Sequence, residues 1–179
     1  MNRKGIIYYN NGYGDYCARY AYLAKEFAQA GYDFVCMDNR GFGQSDGRRA
    51  YVESEEALFN DVSKFHDAID DKFGGKNVPK FQLGMSLGGI SSVKLSVARP
   101  NFYKGMGLIV PYFKLVNQAE LDRKMGIIKL VNRFWPTFSA PIPATQWKAI
   151  MASKFLREIN IDPLVENKKI PIRNLVVNE

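Results

Sequence analysis

Phe81-Gln82-Leu83-Gly84-Met85-Ser86-Leu87-Gly88-Gly89 is the stretch on which the reading of this 179-residue sequence turns. An apolar run from Phe81 to Met85 has the length of a buried strand, and Gly88 to about Ala98 has the composition of a helix, stopped by Pro100. Between them lies Gly-x-Ser-x-Gly. A chain that turns so abruptly from strand to helix brings the positions two before and two after the serine against neighbouring backbone, so both must be small. Chance alone would place the three residues at this spacing in roughly one chain of this length in twenty, at ~7% frequency each. Falling at a strand-to-helix junction is far rarer. The spacing therefore makes Ser86 a candidate nucleophile, with Gly84 and Gly88 as the glycines of its turn. It also aims the backbone N–H of Leu87 at the place where an oxyanion would form.

The same alternation continues on both sides. Gly5–Asn10 reads as a strand ending in the turn signal Asn-Asn-Gly-Tyr-Gly. Tyr20, Leu23, Ala24 and Phe27 recur at helical spacing before Gly31. Phe34–Met37 is a second strand, broken by Asp38-Asn39-Arg40-Gly41-Phe42-Gly43. Ser54 suits an N-cap with Glu55 and Glu56 behind it. Leu58, Val62, Phe65 and Ile69 form the stripe of the following helix. Gly105–Val110 is a fourth strand, closed by Pro111. Apolar strands separated by helices of this length predict an α/β fold: a parallel sheet with right-handed crossovers over residues 1–111.

Residues 112–179 read differently, as helices and loops interrupted by Pro136, Pro141, Pro143 and Pro163, with no convincing strand before about Ile172. The run Met125–Trp135 mixes apolar and basic residues. It fits either a helix lying at a lipid interface or one packed over a pocket. Charge follows the same division. Residues 1–93 carry 11 Lys/Arg against 12 Asp/Glu and residues 94–179 carry 14 against 6, so the net +7 resides in the second half. A basic half suits an anionic membrane surface or an acidic partner, or is simply a solvated face. No nucleic-acid-binding motif accompanies it. Cys17 and Cys36 sit among apolar neighbours, and two cysteines make no disulfide framework, so both are expected as reduced core residues. The N-terminus has no apolar leader, and no apolar run approaches ~18 residues, which favours an intracellular or membrane-peripheral protein.

Three segments resemble the monoacylglycerol lipase-like branch of the α/β-hydrolases, also described as serine aminopeptidase-type hydrolases. They are Asn11-Gly12-Tyr13-Gly14, the loop Asp38–Gly47, and the serine turn itself. The resemblance implies a serine ester hydrolase acting on lipid-like or other acyl esters, with no metal and no cofactor. It implies the Tyr13 N–H as a second oxyanion donor beside Leu87, a structural role for Asp38–Gly47, and a helical cap over residues 112–179. Members usually carry His-Gly where this chain has Asn11-Gly12. They also place a carboxylate and then a histidine after the serine, since a serine hydroxyl is a weak nucleophile without a base. Here the only histidine is His66, which precedes Ser86 and is expected as a surface or half-buried helix residue. The comparison therefore implies a sequence truncated at both ends. Its four strands would be the middle of a larger sheet, with the Phe34 and Gly105 strands outermost and in need of a covering segment or partner protein. The rival expectation is a catalytically inactive subunit of a larger assembly. Asn11 and the missing histidine favour that rival, and the intact serine turn favours the enzyme.

Overall fold

Gly-Ile-Ile-Tyr-Tyr-Asn forms the first strand, β1 (Gly5–Asn10), and every residue of it is buried. The structure is a computed structural model that describes residues 3–74, 77–111, 118–141, 161–166, 169–171 and 174. After β1 come a 3-10 turn (Cys17–Tyr20), α1 (Ala21–Gln29) and β2 (Tyr32–Cys36). Next are α2 (Glu55–Ile69), a π-helical turn (Asp70–Gly74), β3 (Lys80–Met85), α3 (Leu87–Ala98) and β4 (Gly105–Ile109). The four strands are parallel in the order β2-β1-β3-β4, with Ile7 opposite Phe34 on one side and Phe81 on the other. This is the α/β sheet that the alternation predicts, with the Phe34 and Gly105 strands at its two sides.

Local chemistry sets the elements. Ser54 caps α2, its side chain accepting from the Ala57 N–H at 3.0 Å, and Glu55 and Glu56 occupy the first turn where the helix dipole favours them. Leu58 and Val62 of α2 pack with Phe42, Ala50, Val52 and Leu95 into the main apolar cluster. The loop after β2 thus contributes Phe42, Ala50 and Val52 to the core, while Arg40, Gln44 and Asp46 of the same loop stay exposed. Asp38 fixes that loop. Its carboxylate accepts from the backbone N–H groups of Cys17 (2.6 Å) and Gln44 (2.8 Å), and its carbonyl accepts from the Ser45 hydroxyl (2.6 Å).

Beyond Pro111 the described residues include α4 (Gln118–Phe134) and a small antiparallel pair, β5 (Ser139–Pro141) and β6 (Lys169–Pro171). The pair corrects the expectation of no strand before Ile172. Each strand is three residues long and ends in proline, which a sequence reading takes as a break. An outer two-stranded ribbon tolerates it, because the missing N–H need not join a ladder.

Two further expectations are overturned. Cys17 and Cys36 are joined in a disulfide, with Cα atoms 5.7 Å apart. The 3-10 turn after β1 packs against the end of the adjacent β2, so residues 19 apart in sequence meet at bridging range. Counting cysteines could not see that proximity. His66 is fully buried rather than on the surface. It follows Leu58 and Val62 at steps of four, and that spacing places it on the helix's inward face.

Candidate active site

Ser86 stands at the junction of β3 and α3 with φ 51° and ψ −115°, a conformation that costs a non-glycine residue energy and persists only where its surroundings enforce it. The neighbours that enforce it are identifiable. A Cβ on Gly84 would lie 2.4 Å from Ser92 Oγ and 2.6 Å from the Gly88 carbonyl oxygen. A Cβ on Gly88 would lie 2.0 Å from the Asn10 carbonyl oxygen, closer than any side chain can come. The Ser86 N–H donates to the Ile109 carbonyl at 3.0 Å, so β4 anchors the turn from the far side. Leu87 opens α3, where backbone N–H groups lack intrahelical partners.

The loop after β1 lies beside this turn. A Cβ on Gly12 would stand 3.4 Å from Ser86 Cβ, so the Asn11-Gly12-Tyr13 backbone runs along the serine. Tyr13 turns its ring edge-on to Phe42 and its hydroxyl donates to the Ala50 carbonyl at 2.9 Å. Asn11 is buried. Its amide donates to the Met37 carbonyl at 2.9 Å and lies 3.4 and 3.3 Å from the sulfurs of Cys17 and Cys36. The structure therefore brings Tyr13, Gly84, Ser86, Leu87 and Gly88 together, as the sequence groups them.

His66 is engaged elsewhere. Its Nε2 lies 3.1 Å from Asn10 Oδ1 and its Nδ1 lies 2.7 Å from the Tyr103 hydroxyl. Asn10 points its amide nitrogen at Gln82 Oε1 and Ser92 Oγ, which fixes Oδ1 as the acceptor for His66. The imidazole is thus protonated at Nε2 and accepts the Tyr103 O–H at Nδ1. Burial, reinforced by the Arg99 charge, lowers its pKa from 6.5 to about 3, so the ring is neutral. The chain of bonds ends at the serine turn, because Ser92 Oγ donates to the Gly88 carbonyl at 2.9 Å. Sequence reasoning missed Asn10, Gln82 and Ser92. The only local signal was their polarity inside otherwise apolar elements.

A family model described as "Serine aminopeptidase, S33" matches residues 1–177. Monoglyceride lipase of Mus musculus is 31% identical over 136 residues, covering 76% of this chain and 44% of the relative. Monoacylglycerol lipase of Mycolicibacterium smegmatis is 25% identical over 176 residues, covering 94% of this chain and 59% of the relative. The chain spans about half the length of the curated relatives it matches. A soluble variant of the Saccharomyces cerevisiae monoglyceride lipase superposes with TM-score 0.80 at 22% identity, over 97% of this chain and 58% of that one. A monoacylglycerol lipase of Paleococcus ferrophilus gives 0.77 at 22%, over 99% and 66%. The fold, the serine turn and these matches together place the chain in the serine aminopeptidase-type family of α/β-hydrolases, within its monoglyceride lipase-like branch.

Proposed function

We propose that this chain carries the nucleophile and oxyanion half of a serine ester hydrolase acting on lipid-like acyl esters. The observation that carries the reading is Ser86 held at φ 51° on a turn closed by Gly84 and Gly88, with the Gly12–Tyr13 backbone alongside. Ser86 Oγ attacks the acyl carbonyl carbon, a base takes the hydroxyl proton, and the carbonyl electron pair moves onto oxygen. The Tyr13 and Leu87 amides receive that oxyanion, which in such sites is worth about 10²–10³ in rate per donor. Collapse expels the alcohol, and water then releases the acyl group from Ser86. The base is not His66, whose two nitrogens are held by Asn10 and Tyr103. A histidine and its carboxylate from outside these 179 residues complete the triad in this reading. The relatives named monoglyceride lipases support the substrate class.

The opposite face of α4 supports a lipid-facing role. Met125 is buried, whereas Ile127, Leu130 and Phe134 are 70%, 59% and 72% exposed. At about 100° per residue these three fall within about 60° of one another, opposite Met125. Trp135 and Phe138, just beyond the helix, are exposed as well. Among the described residues no helix is long and apolar enough to cross a membrane, so this surface would lie along one.

Asn11, with its amide committed to Met37, favours the rival reading of a catalytically inactive structural or binding subunit of a larger assembly. A fluorophosphonate probe decides between them. In the protein that carries this chain, labelling should fall on Ser86 and vanish in Ser86→Ala. An unlabelled Ser86 in a folded protein that supplies the base would leave the rival standing.

A further inference from the structure

The loop that holds Tyr13 is gripped from the cap by residues that nothing in the chemistry above requires. The Glu166 N–H donates to the Gly14 carbonyl at 2.9 Å. Gly14 has φ +79°, and a Cβ there would lie 2.4 Å from the Glu166 carbonyl oxygen, so only glycine lets the two backbones meet. Two residues on, the Tyr16 hydroxyl donates to Asp162 Oδ2 at 2.7 Å. The other carboxylate oxygen, Oδ1, accepts from the Leu164 N–H at 2.9 Å, and Pro163 sits between them. Asp162-Pro163-Leu164 is therefore a self-braced turn that presents one carboxylate oxygen to Tyr16. Arg49 Nε reaches Glu166 Oε1 at 3.0 Å while its Nη1 donates to the Gly43 carbonyl at 2.8 Å. Asn174 closes the set. Its amide donates to the Tyr13 hydroxyl (3.1 Å) and the Ala50 carbonyl (2.7 Å), and its carbonyl accepts from the Val52 N–H (2.9 Å).

We infer that residues 162–166, acting through Tyr16 and Gly14 with Asn174 behind the Tyr13 ring, are positioning residues that set the Tyr13 amide for the oxyanion. The inference rests on the reading of Ser86 and Tyr13 as nucleophile and donor. Its physical basis is that a preorganised donor must already stand where charge develops. The Tyr13 peptide has no helix or strand of its own to hold it, so the bonds around it must. The cap thereby takes part in transition-state stabilisation without touching the reacting atoms. A cap displaced by lipid or by a partner would loosen the donor along with the pocket.

The test uses Tyr16→Phe, Asp162→Asn and the double variant in the protein that carries this chain. Amide exchange reports the grip, and hydrolysis of a short p-nitrophenyl ester reports its consequence. We expect exchange at Tyr13–Tyr16 and Glu166 to quicken at least tenfold in Tyr16→Phe, which removes the bond, and by less in Asp162→Asn, whose amide can still donate to the Tyr16 hydroxyl. We expect kcat to fall about 3- to 10-fold with KM within twofold, since a loosened donor weakens the transition state and not the ground state. The double variant should match Tyr16→Phe within twofold, because the one Tyr16–Asp162 bond is already gone there. Unchanged exchange overturns the grip, whatever the activity. Quickened exchange with unchanged kcat, or a rise confined to KM, overturns the positioning role. Turnover surviving in Ser86→Ala would instead overturn the proposed function, and the exchange result would still judge the grip.

Discussion

β1 and β4 are strands of one sheet with similar composition, Gly-Ile-Ile-Tyr-Tyr-Asn and Gly-Met-Gly-Leu-Ile, and opposite fates. β1 is buried at every residue, down to 0% exposure at Ile6 and Tyr8. In β4, Met106, Leu108 and Ile109 are each at least a third exposed, and Val110 just after it is 70% exposed. Apolar character therefore does not decide burial here. Position in the order β2-β1-β3-β4 does, because among the described residues β1 has a strand on each side and β4 has one. Parallel strands are normally covered on both faces, so the apolar surface of β4 is one that another segment or chain should cover.

The strongest break of that comparison is a matched pair of truncations. Ile6→Ala should cost about 2–5 kcal/mol by leaving a cavity in a site that cannot collapse. Leu108→Ala should cost under about 1 kcal/mol, because its side chain is already partly in water. Denaturant unfolding measures both. A Leu108→Ala loss equal to that of Ile6→Ala would show that β4 is covered in solution.

The next effect concerns the histidine packed against β1, whose ring centroid is 4.2 Å from that of Tyr8 with the planes tilted by 34°. His66 has its pKa lowered from 6.5 to about 3 in the fold, so the unfolded chain binds the extra proton first. The stability held by the neutral ring is complete above pH 6.5 and is lost as pH falls toward about 3. The slope should approach about 1.4 kcal/mol per pH unit. His66→Gln should remove that slope while lowering stability at pH 7. A wild-type melting temperature that is flat from pH 7 to pH 4.5 would contradict the buried neutral ring.

The smallest effects belong to the other exposed apolar surface, on α4. Leu130→Glu and Phe134→Glu should abolish partitioning onto vesicles rich in phosphatidylserine. Arg133→Gln and Lys129→Gln should each weaken it by about 1 kcal/mol, roughly fivefold. Binding indifferent to all four would assign this surface to a protein neighbour instead of lipid.

What the sequence disclosed divides along the same line. The four strands, the α2 cap at Ser54 and the serine turn were legible because each is written in consecutive residues: apolar runs, a capping serine, glycines at fixed offsets. The Cys17–Cys36 disulfide, the buried ring of His66 and the Asn10–Ser92–Gly88 chain were not. Each depends on which strands become neighbours, and nothing local to Cys17 or Asn10 states that. Residue type even misled at His66, where polarity argued for the surface and only the four-residue spacing from Val62 argued otherwise. The grip of Glu166 on Gly14 is further still from view, joining backbone atoms 152 positions apart.

The central place of β1 also has a consequence in time. Ile7 meets Phe34, 27 residues later, but waits for Phe81, 74 residues later, before its second side is filled. Closing the longer loop costs only about 0.9 kcal/mol more, from the logarithmic dependence of loop entropy on length. The delay is the larger matter. At roughly 5–20 residues per second on the ribosome, the chain spends several seconds with β1 half-paired, the strand that is fully buried in the fold offered to any passing edge. The Gly88–Asn10 contact of the serine turn forms at the end of that interval, once β3 has docked, and β4 then completes the turn when Ile109 accepts from the Ser86 N–H. The nucleophile's turn thus begins to form in the same event that pairs the second side of β1.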